Sequence, residues 1–170
     1  MSRYRAPQVK SSPYITSEGA DTLRAERHQL WKVERPQVTA QVHEAAKNGD
    51  RSENGDYIYG KRRLREIDSR VRYLNKRLDE VTVVSQTPTD PSRIFFGAWV
   101  TLKNNTDETT LPEVTYRLVG ADEIDPGRGY ISIDSPLARA LMGKSVEADI
   151  RFIAAEITQH YRVRAISYSE

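Results

Sequence analysis

Two acidic residues, Asp50 and Glu53, stand three positions apart where a helical pattern begins, directly after the turn signal Asn48-Gly49. Carboxylates at this spacing can converge on one divalent cation, because Mg²⁺ accepts a few carboxylate oxygens and keeps water as its other ligands. The same spacing is typical of a capping box, in which Asp50 would cap the helix and Glu53 would reach back to a backbone amide. The residue types therefore leave two interpretations open, a metal site and a helix cap.

A strongly basic segment follows these acids. Residues 61–77 contain eight Lys and Arg residues and only two acidic residues. Arg62, Arg65, Arg72 and Lys76 recur at steps that can place them on one face of a helix, and Arg63 belongs to the same run. Such an excess of positive charge favours contact with phosphate groups or an acidic partner, although a solvated helix face would have the same composition. Aromatic residues are sparse here, so recognition of bases by stacking is not indicated.

The composition excludes several kinds of protein. The 170-residue chain has 26 basic residues, 24 acidic residues and no cysteine, so disulfides, thiolate metal sites and cysteine nucleophiles are excluded. No apolar run approaches the roughly 18–20 residues of a membrane span. The first ten residues lack the apolar region of a signal peptide, and we expect a cytoplasmic protein with no membrane contact. The net charge of +2 is an average, because residues 1–90 carry +4 and residues 91–170 carry −2.

The first half of the chain predicts a long helical hairpin. Residues 18–84 show a helical pattern, and the second arm has the 3–4 spacing of a coiled coil at Leu64, Ile67, Val71, Leu74 and Leu78. Pro36 interrupts the first arm and predicts a kink with a slip of register. Two arms of about 30 residues would form an antiparallel hairpin about 45 Å long, with Asp50 and Glu53 at its tip.

The second half of the chain predicts a small sheet. Alternating apolar residues predict strands near 96–102, 114–119, 130–133, 146–152 and 161–165. One short helix is indicated by Ser135 as N-cap, Pro136 in the first turn and Gly143 as the stop. The predicted fold class is α+β, with a mostly antiparallel sheet. The predicted domains are an N-terminal extension (1–13), a coiled-coil hairpin (14–86), a linker (87–93) and a C-terminal domain (94–170).

Four segments together resemble one protein family. They are GDRSENGDY (residues 49–57), KRRLREIDSRVRYL (61–74), FFGAWV (95–100) and YISIDSPLARAL (130–141). These segments are similar to those of the bacterial Gre transcript cleavage factors, specifically the GreB type, and the resemblance extends over residues 14–168. Two departures are visible, namely the short N-terminal extension and Gly55, where the family usually has alanine.

The resemblance implies a fold, a partner and a mechanism. It implies a coiled-coil hairpin followed by an FKBP-like domain that docks on RNA polymerase, with the hairpin inserted into the secondary channel. Asp50 and Glu53 would share a Mg²⁺ ion with the polymerase and stimulate its cleavage of backtracked nascent RNA. The protein would then be an activator of the polymerase and not an enzyme. The implied supporting residues are Ser52, Asn54 and Tyr57 at the tip, Arg62, Arg63, Arg65, Arg72 and Lys76 for the RNA 3′ end, and Asp134, Ser135 and Pro136 for docking.

Two other functions remain as alternatives. A regulator could bind in the secondary channel without stimulating cleavage, but the presence of Asp50 and Glu53 speaks against it. A generic coiled-coil scaffold would leave the basic arm beside an acidic tip unexplained. We expect a monomer in either case.

Overall fold

The computed structural model describes residues 11–47, 53–105, 112–154 and 156–169. The chain forms two compact units. One is the continuous stretch Glu18–Val81, and the other combines Met1–Ser17 with Thr82–Glu170. The first is a helical hairpin and the second is built around a curled sheet, so the predicted α+β class is confirmed.

The hairpin unit has a composite first arm and an uninterrupted second arm. The first arm comprises α1 (Ser17–His28), a π-helical turn (Gln29–Glu34) and α2 (Arg35–Ala45), and the second arm is α3 (Gly55–Glu80). With 26 residues, α3 is about 39 Å long at 1.5 Å per residue. The buried apolar residues among those described are Ala20, Leu23, Leu30, Val38 and Val42 on the first arm and Ile67, Val71 and Leu74 on the second.

The π-helical turn explains the predicted slip of register. Leu23 and Leu30 are one heptad apart, but Leu30 and Val38 are separated by eight residues. The wider turn accommodates the extra residue, because the Arg35 backbone N–H donates to the Leu30 carbonyl five residues earlier. Pro36 follows at once in the first turn of α2, where its missing N–H is tolerated. The slip is therefore present, but the arm continues as a helix.

The prediction that the second arm continues as helix to Val84 is wrong. The helix ends at Glu80, and β2 (Thr82–Val84) pairs in parallel with β1 (Tyr14–Thr16). The consecutive β-branched residues of β2 favour an extended backbone over a helix. Both strands belong to the sheet-containing unit.

The second unit contains a five-stranded sheet. Its strands are β3 (Trp99–Asn104), β4 (Val114–Val119), β5 (Tyr130–Ser132), β6 (Asp149–Ala154) and β7 (Ile157–Ser167), in the order β5-β4-β3-β7-β6. All neighbouring strands are antiparallel except β4 and β5. The short helix α4 (Pro136–Leu141) contributes Ala138 and Leu141 to the core, which also contains Val100, Leu118 and Val163. The predicted mostly antiparallel sheet with one short helix is confirmed.

Two 3-10 turns, Ala121–Glu123 and Pro126–Arg128, connect β4 to β5. Within the described ranges, no helix combines the length and apolarity that crossing a bilayer requires.

Candidate functional site

Asn54 closes the end of the hairpin where the two arms meet. Its side-chain oxygen Oδ1 accepts a hydrogen bond from the Tyr57 backbone N–H at 3.2 Å, so Asn54 is the N-cap of α3. Its amide nitrogen Nδ2 donates to the carbonyl oxygen of Ala45, the last residue of α2, at 2.9 Å. One side chain therefore both caps the second arm and ties it to the first.

Glu53 comes immediately before this cap and is exposed. Because Asn54 is the N-cap, the third helical residue is Tyr57, and the capping-box interpretation of Asp50 and Glu53 is wrong. The hydrogen bond that caps the helix therefore comes from Asn54 and not from the Glu53 carboxylate. Asp50 and Ser52 lie outside the described residues. In the part of the chain that is described, no group of three His, Asp or Glu side chains could hold a metal ion without outside ligands.

Gly60 permits the close approach of the two arms below the tip. A Cβ atom added at Gly60 would lie 2.4 Å from Cγ2 of Val42, far inside van der Waals contact. Val42 is buried, and a valine in a helix has one strongly preferred rotamer. The absence of a side chain at position 60 therefore sets the spacing between α2 and α3.

We expect Gly60→Ala to lower the free energy of unfolding of the hairpin by about 1–2 kcal/mol, because overpacking outweighs alanine's better helix propensity. Gly55→Ala is the matched change on the same helix. Its nearest neighbour would be Cε2 of Tyr59 at 3.8 Å, so stability should stay equal or rise by up to about 1 kcal/mol. Urea unfolding followed by Trp31 fluorescence, in a Trp99→Phe background, measures both.

A second substitution tests the cause. Val42→Ala, introduced into the Gly60→Ala protein, should recover part of the lost stability, because it removes the Cγ2 atom that the new methyl group meets. If Gly60→Ala and Gly55→Ala had the same effect, the close approach would not be the reason for glycine at position 60.

Four of the five candidate RNA-binding residues share one face of α3. At 100° per residue, Arg62, Arg65, Arg72 and Lys76 fall within an arc of about 80°. Arg62 forms an ion pair with Glu66 at 3.1 Å on the exposed surface. The side chains of Arg65 and Arg72 form no ion pair with any acid among the described residues. These two guanidinium groups are therefore available to an anionic ligand.

Arg63 lies on a different face and joins the two arms. Its Nε is 2.6 Å from Oε1 of Glu34 on the first arm, and its Nη1 is 3.2 Å from Glu66. These hydrogen bonds, first of all the one that Arg63 donates to Glu34, raise the pKa of the Arg63 guanidinium. Arg70 pairs with Glu26 across the arms in the same way, with Nε–Oε1 and Nη2–Oε2 distances of 2.6 and 2.8 Å. The structure therefore separates Arg63 from the other four candidates.

The first arm contributes cations that the sequence did not single out. Arg27, Lys32 and Arg35 line a groove of about 660 Å³ together with Arg72 of α3. In this groove the Arg35 guanidinium lies 4.8 Å from the centre of the Trp31 ring and 2.8 Å from Asp68. The spacing of 27, 32 and 35 fits no single helical period, because the π-helical turn lies between them. For this reason the sequence pattern could not reveal a basic face on this arm.

The candidate docking residues lie at the start of α4. Ser135 is the N-cap, and its Oγ accepts from the Ala138 N–H at 3.2 Å, while Pro136 is the first helical residue. The Asp134 carboxylate is held by a residue that sequence reasoning missed. Oδ2 accepts from the Ser12 backbone N–H at 2.8 Å, and Oδ1 accepts from the Ser12 hydroxyl at 2.5 Å. The two residues are 122 positions apart, and no local pattern connects them.

Two protein-family models together match almost the whole chain. Residues 13–83 match the family model described as transcription elongation factor, N-terminal, and residues 88–168 match the model described as transcription elongation factor, GreA/GreB, C-term. The chain belongs to the GreA/GreB family. The resemblance inferred from the four sequence segments is confirmed.

Individual members of the GreA/GreB family are similar over most of the chain. Transcription elongation factor GreB of Pseudomonas aeruginosa is 59% identical over 150 residues, which cover 88% of this chain and 87% of that protein. GreB of Pasteurella multocida is 55% identical, with 84% and 88% covered. Among solved structures, the GreA factor homolog Gfh1 of Thermus thermophilus is 18% identical, with 92% of this chain and 99% of that chain covered and a TM-score of 0.41. The family assignment rests on the sequence matches.

Proposed function

We propose that this protein binds bacterial RNA polymerase and stimulates the polymerase's own Mg²⁺-dependent cleavage of backtracked nascent RNA. The observation that carries the proposal is the placement of Glu53. Its carboxylate is exposed at the end of the hairpin, directly before a helix whose cap is supplied by another residue. An exposed acid at the end of a long helical arm, next to a helix that another residue caps, is suited to reach a site on a partner.

The chemistry of the tip fits a shared magnesium ion. Carboxylate oxygens are ligands that Mg²⁺ prefers, and Glu53, together with Asp50, would offer two of them. Two carboxylates bind Mg²⁺ weakly by themselves, so acidic residues of the polymerase would complete the site. When bound, the ion would lower the pKa of the attacking water and neutralise charge on the scissile phosphate. Asn54 would hold Glu53 in place. Asn54 directly follows Glu53, and its side chain is hydrogen-bonded to the backbone of both arms.

The remaining surfaces have supporting roles in this proposal. The face of α3 that carries Arg62, Arg65, Arg72 and Lys76 would contact the phosphates of the extruded RNA 3′ end. Asp134, Ser135 and Pro136 would dock the sheet-containing unit on the polymerase. The protein would act as a monomer in the bacterial cytoplasm, and the polymerase would be the enzyme.

Arg65 and Arg72, which form no ion pair within the described ranges, supply a prediction for RNA contact. We expect the double variant Arg65→Gln/Arg72→Gln to need roughly threefold to tenfold more protein for half-maximal cleavage, because two charges that face RNA are lost. Each lost phosphate contact should also reduce the slope of log affinity against log salt by about 0.7. Cleavage by arrested complexes at several protein and salt concentrations measures both quantities.

Arg63→Gln is the matched control, because it removes the same kind of charge from a guanidinium already bound to Glu34. Its salt slope should equal that of the unmodified protein. An equal loss in the control would mean that overall charge, and not the face of α3, determines the effect.

The test of the proposed function is RNA cleavage in a purified, arrested elongation complex. The protein should accelerate shortening of the RNA from its 3′ end, should need Mg²⁺, and should show no cleavage of free RNA when polymerase is omitted. Binding to polymerase without any acceleration would support the alternative of a non-cleaving regulator. Absence of both binding and cleavage would exclude the proposal.

A further inference from the structure

The N-terminal segment, residues 12–16, forms an integral part of the sheet-containing unit. Its strand β1 pairs with β2, Ile15 is completely buried, and the Thr82 N–H donates to the Pro13 carbonyl at 2.6 Å. The ring centres of Tyr14 and Phe96 are 5.9 Å apart. Through these contacts the segment is paired and packed as part of the sheet-containing unit.

Two acidic side chains of the same unit hold the ends of this segment. At one end, Glu123 accepts hydrogen bonds from both the backbone N–H and the hydroxyl of Thr16, the first of them at 3.0 Å. At the other end, Asp134 accepts from the backbone N–H and the hydroxyl of Ser12. Each contact uses both oxygens of a carboxylate, and charge-assisted hydrogen bonds of this kind are about twice as strong as neutral ones.

Ser12 completes a network around the loop that begins α4. Hydrogen bonds within the loop stabilise its backbone. The Asp134 N–H donates to Ser132 Oγ at 3.1 Å, and the Ser135 N–H donates to the Ser132 carbonyl at 2.9 Å. Among the described residues, the hydrogen bonds to the Asp134 carboxylate come only from Ser12, and the charge of Arg139 acts on it as well. The Ser12 hydroxyl, followed by its backbone N–H, also keeps the pKa of this carboxyl below its usual range.

We propose that Ser12 is a positioning residue for polymerase docking, which it supports by holding the Asp134 carboxylate in one orientation. The proposal rests on the proposed function, in which Asp134 belongs to the docking surface. An ionised carboxylate has about four acceptor positions, and Ser12 occupies two of them. The other two remain for a cationic or N–H donor of the polymerase. A carboxylate that is already oriented loses less conformational freedom on binding, so the contact with Ser12 should strengthen docking.

The experiment compares Ser12→Ala, Ser12→Thr and Ser11→Ala with the unmodified protein. Ser12→Ala removes the hydroxyl and keeps the backbone N–H, so we expect roughly fivefold weaker binding to RNA polymerase. The protein concentration for half-maximal cleavage should rise by the same factor, while the rate at saturation stays unchanged. Ser12→Thr retains a hydroxyl and should restore affinity. Ser11 is exposed and serves as the control for any change in this segment.

A direct measurement of Asp134 separates positioning from general stability. In carboxyl-carbon NMR titrations, the pKa of Asp134 should rise toward its ordinary value in Ser12→Ala and stay low in Ser12→Thr. Unaltered polymerase affinity in Ser12→Ala, combined with weaker binding by Asp134→Ala, would overturn the role of Ser12 and leave the proposed function intact. Tighter binding by Ser12→Ala would overturn it as well, since Ser12 would then obstruct docking. If the unmodified protein failed to bind polymerase, the proposed function itself would be wrong.

Discussion

Glu53→Gln should lower the rate of stimulated RNA cleavage about 100-fold, while affinity for RNA polymerase changes less than about twofold. Glutamine keeps the shape of the side chain but loses the negative charge, and even the loss of a residue that only orients a metal ligand typically reduces metal affinity or activity by about 10–100-fold. The free energy of unfolding should change by less than about 1 kcal/mol, because Asn54 and not Glu53 caps α3 and only a helix-terminus interaction is lost. Asp50→Asn should have a similar effect. The double variant should be little worse than either single variant, since groups that act together are not additive.

Asp56→Asn is the matched control for the tip. Asp56 is an exposed acid in the first turn of α3, three residues after Glu53, and it follows the cap instead of preceding it. Removal of its charge should change cleavage less than about threefold, because only a helix-terminus interaction is lost. If Asp56→Asn and Glu53→Gln lowered the cleavage rate equally, the total negative charge near the tip, and not the position of Glu53, would determine the rate. Unaltered cleavage by Glu53→Gln would contradict the proposed function.

The magnesium dependence distinguishes a metal ligand from a residue that only contacts RNA. If Glu53 binds the ion, Glu53→Gln should raise the Mg²⁺ concentration needed for half-maximal cleavage, and higher Mg²⁺ should recover part of the rate. A residue that contacts only RNA should change the rate equally at all Mg²⁺ concentrations. Cleavage in arrested complexes, measured over a Mg²⁺ series at saturating protein, gives the answer.

Gly120→Ala should lower the free energy of unfolding of the sheet-containing unit by about 3 kcal/mol, at the upper end of the usual range for overpacking. A Cβ at this position would lie 2.2 Å from the Tyr14 carbonyl oxygen and 3.1 Å from Oε2 of Glu123. The nearest atom belongs to the backbone of β1, which cannot move without breaking its pairing with β2. The new methyl group must therefore displace the N-terminal segment.

The two tryptophans allow this effect to be located. Trp31 belongs to the hairpin and Trp99 to the other unit, so fluorescence in a Trp31→Phe background reports the sheet-containing unit alone. Gly127→Ala is the control, because its Cβ would approach only the Asp125 side chain, at 3.3 Å. An effect below about 1 kcal/mol for Gly120→Ala would show that the N-terminal segment adjusts easily, and the structural basis for the role of Ser12 would weaken.

The sequence predicted the elements that depend on local pattern. The apolar spacing of α3 identified its buried face, and Ser135-Pro136 marked the start of α4, because N-caps and first-turn prolines act over only a few residues. The parallel pairing of Tyr14 with Thr82 was missed, since three-residue strands carry little signal and their partners are 68 positions apart. The end of α3 was misplaced for a related reason, since a continuous apolar spacing hid the change to β-branched residues.

The candidate site was only partly predictable for similar reasons. Asp, Asn and Ser are all good N-caps, so residue types could not decide which residue of the tip starts the helix. In the structure Asn54 is the N-cap, so the Glu53 carboxylate does not supply the capping hydrogen bond. Helical spacing within α3 already places Arg63 on a different face from Arg65 and Arg72, but its pairing with Glu34 of the opposite arm could not be predicted from that spacing.

The division of the sheet-containing unit between the two ends of the chain has a consequence for synthesis on the ribosome. The N-terminal segment emerges first, but β2 follows only after the whole hairpin has been translated. Glu123 and Asp134, whose carboxylates hold the N-terminal segment, are translated later still. The hairpin makes its own contacts and can form while translation continues. Ser12 can reach Asp134 only after the hairpin and the chain as far as α4 have been translated, so this contact forms late in synthesis.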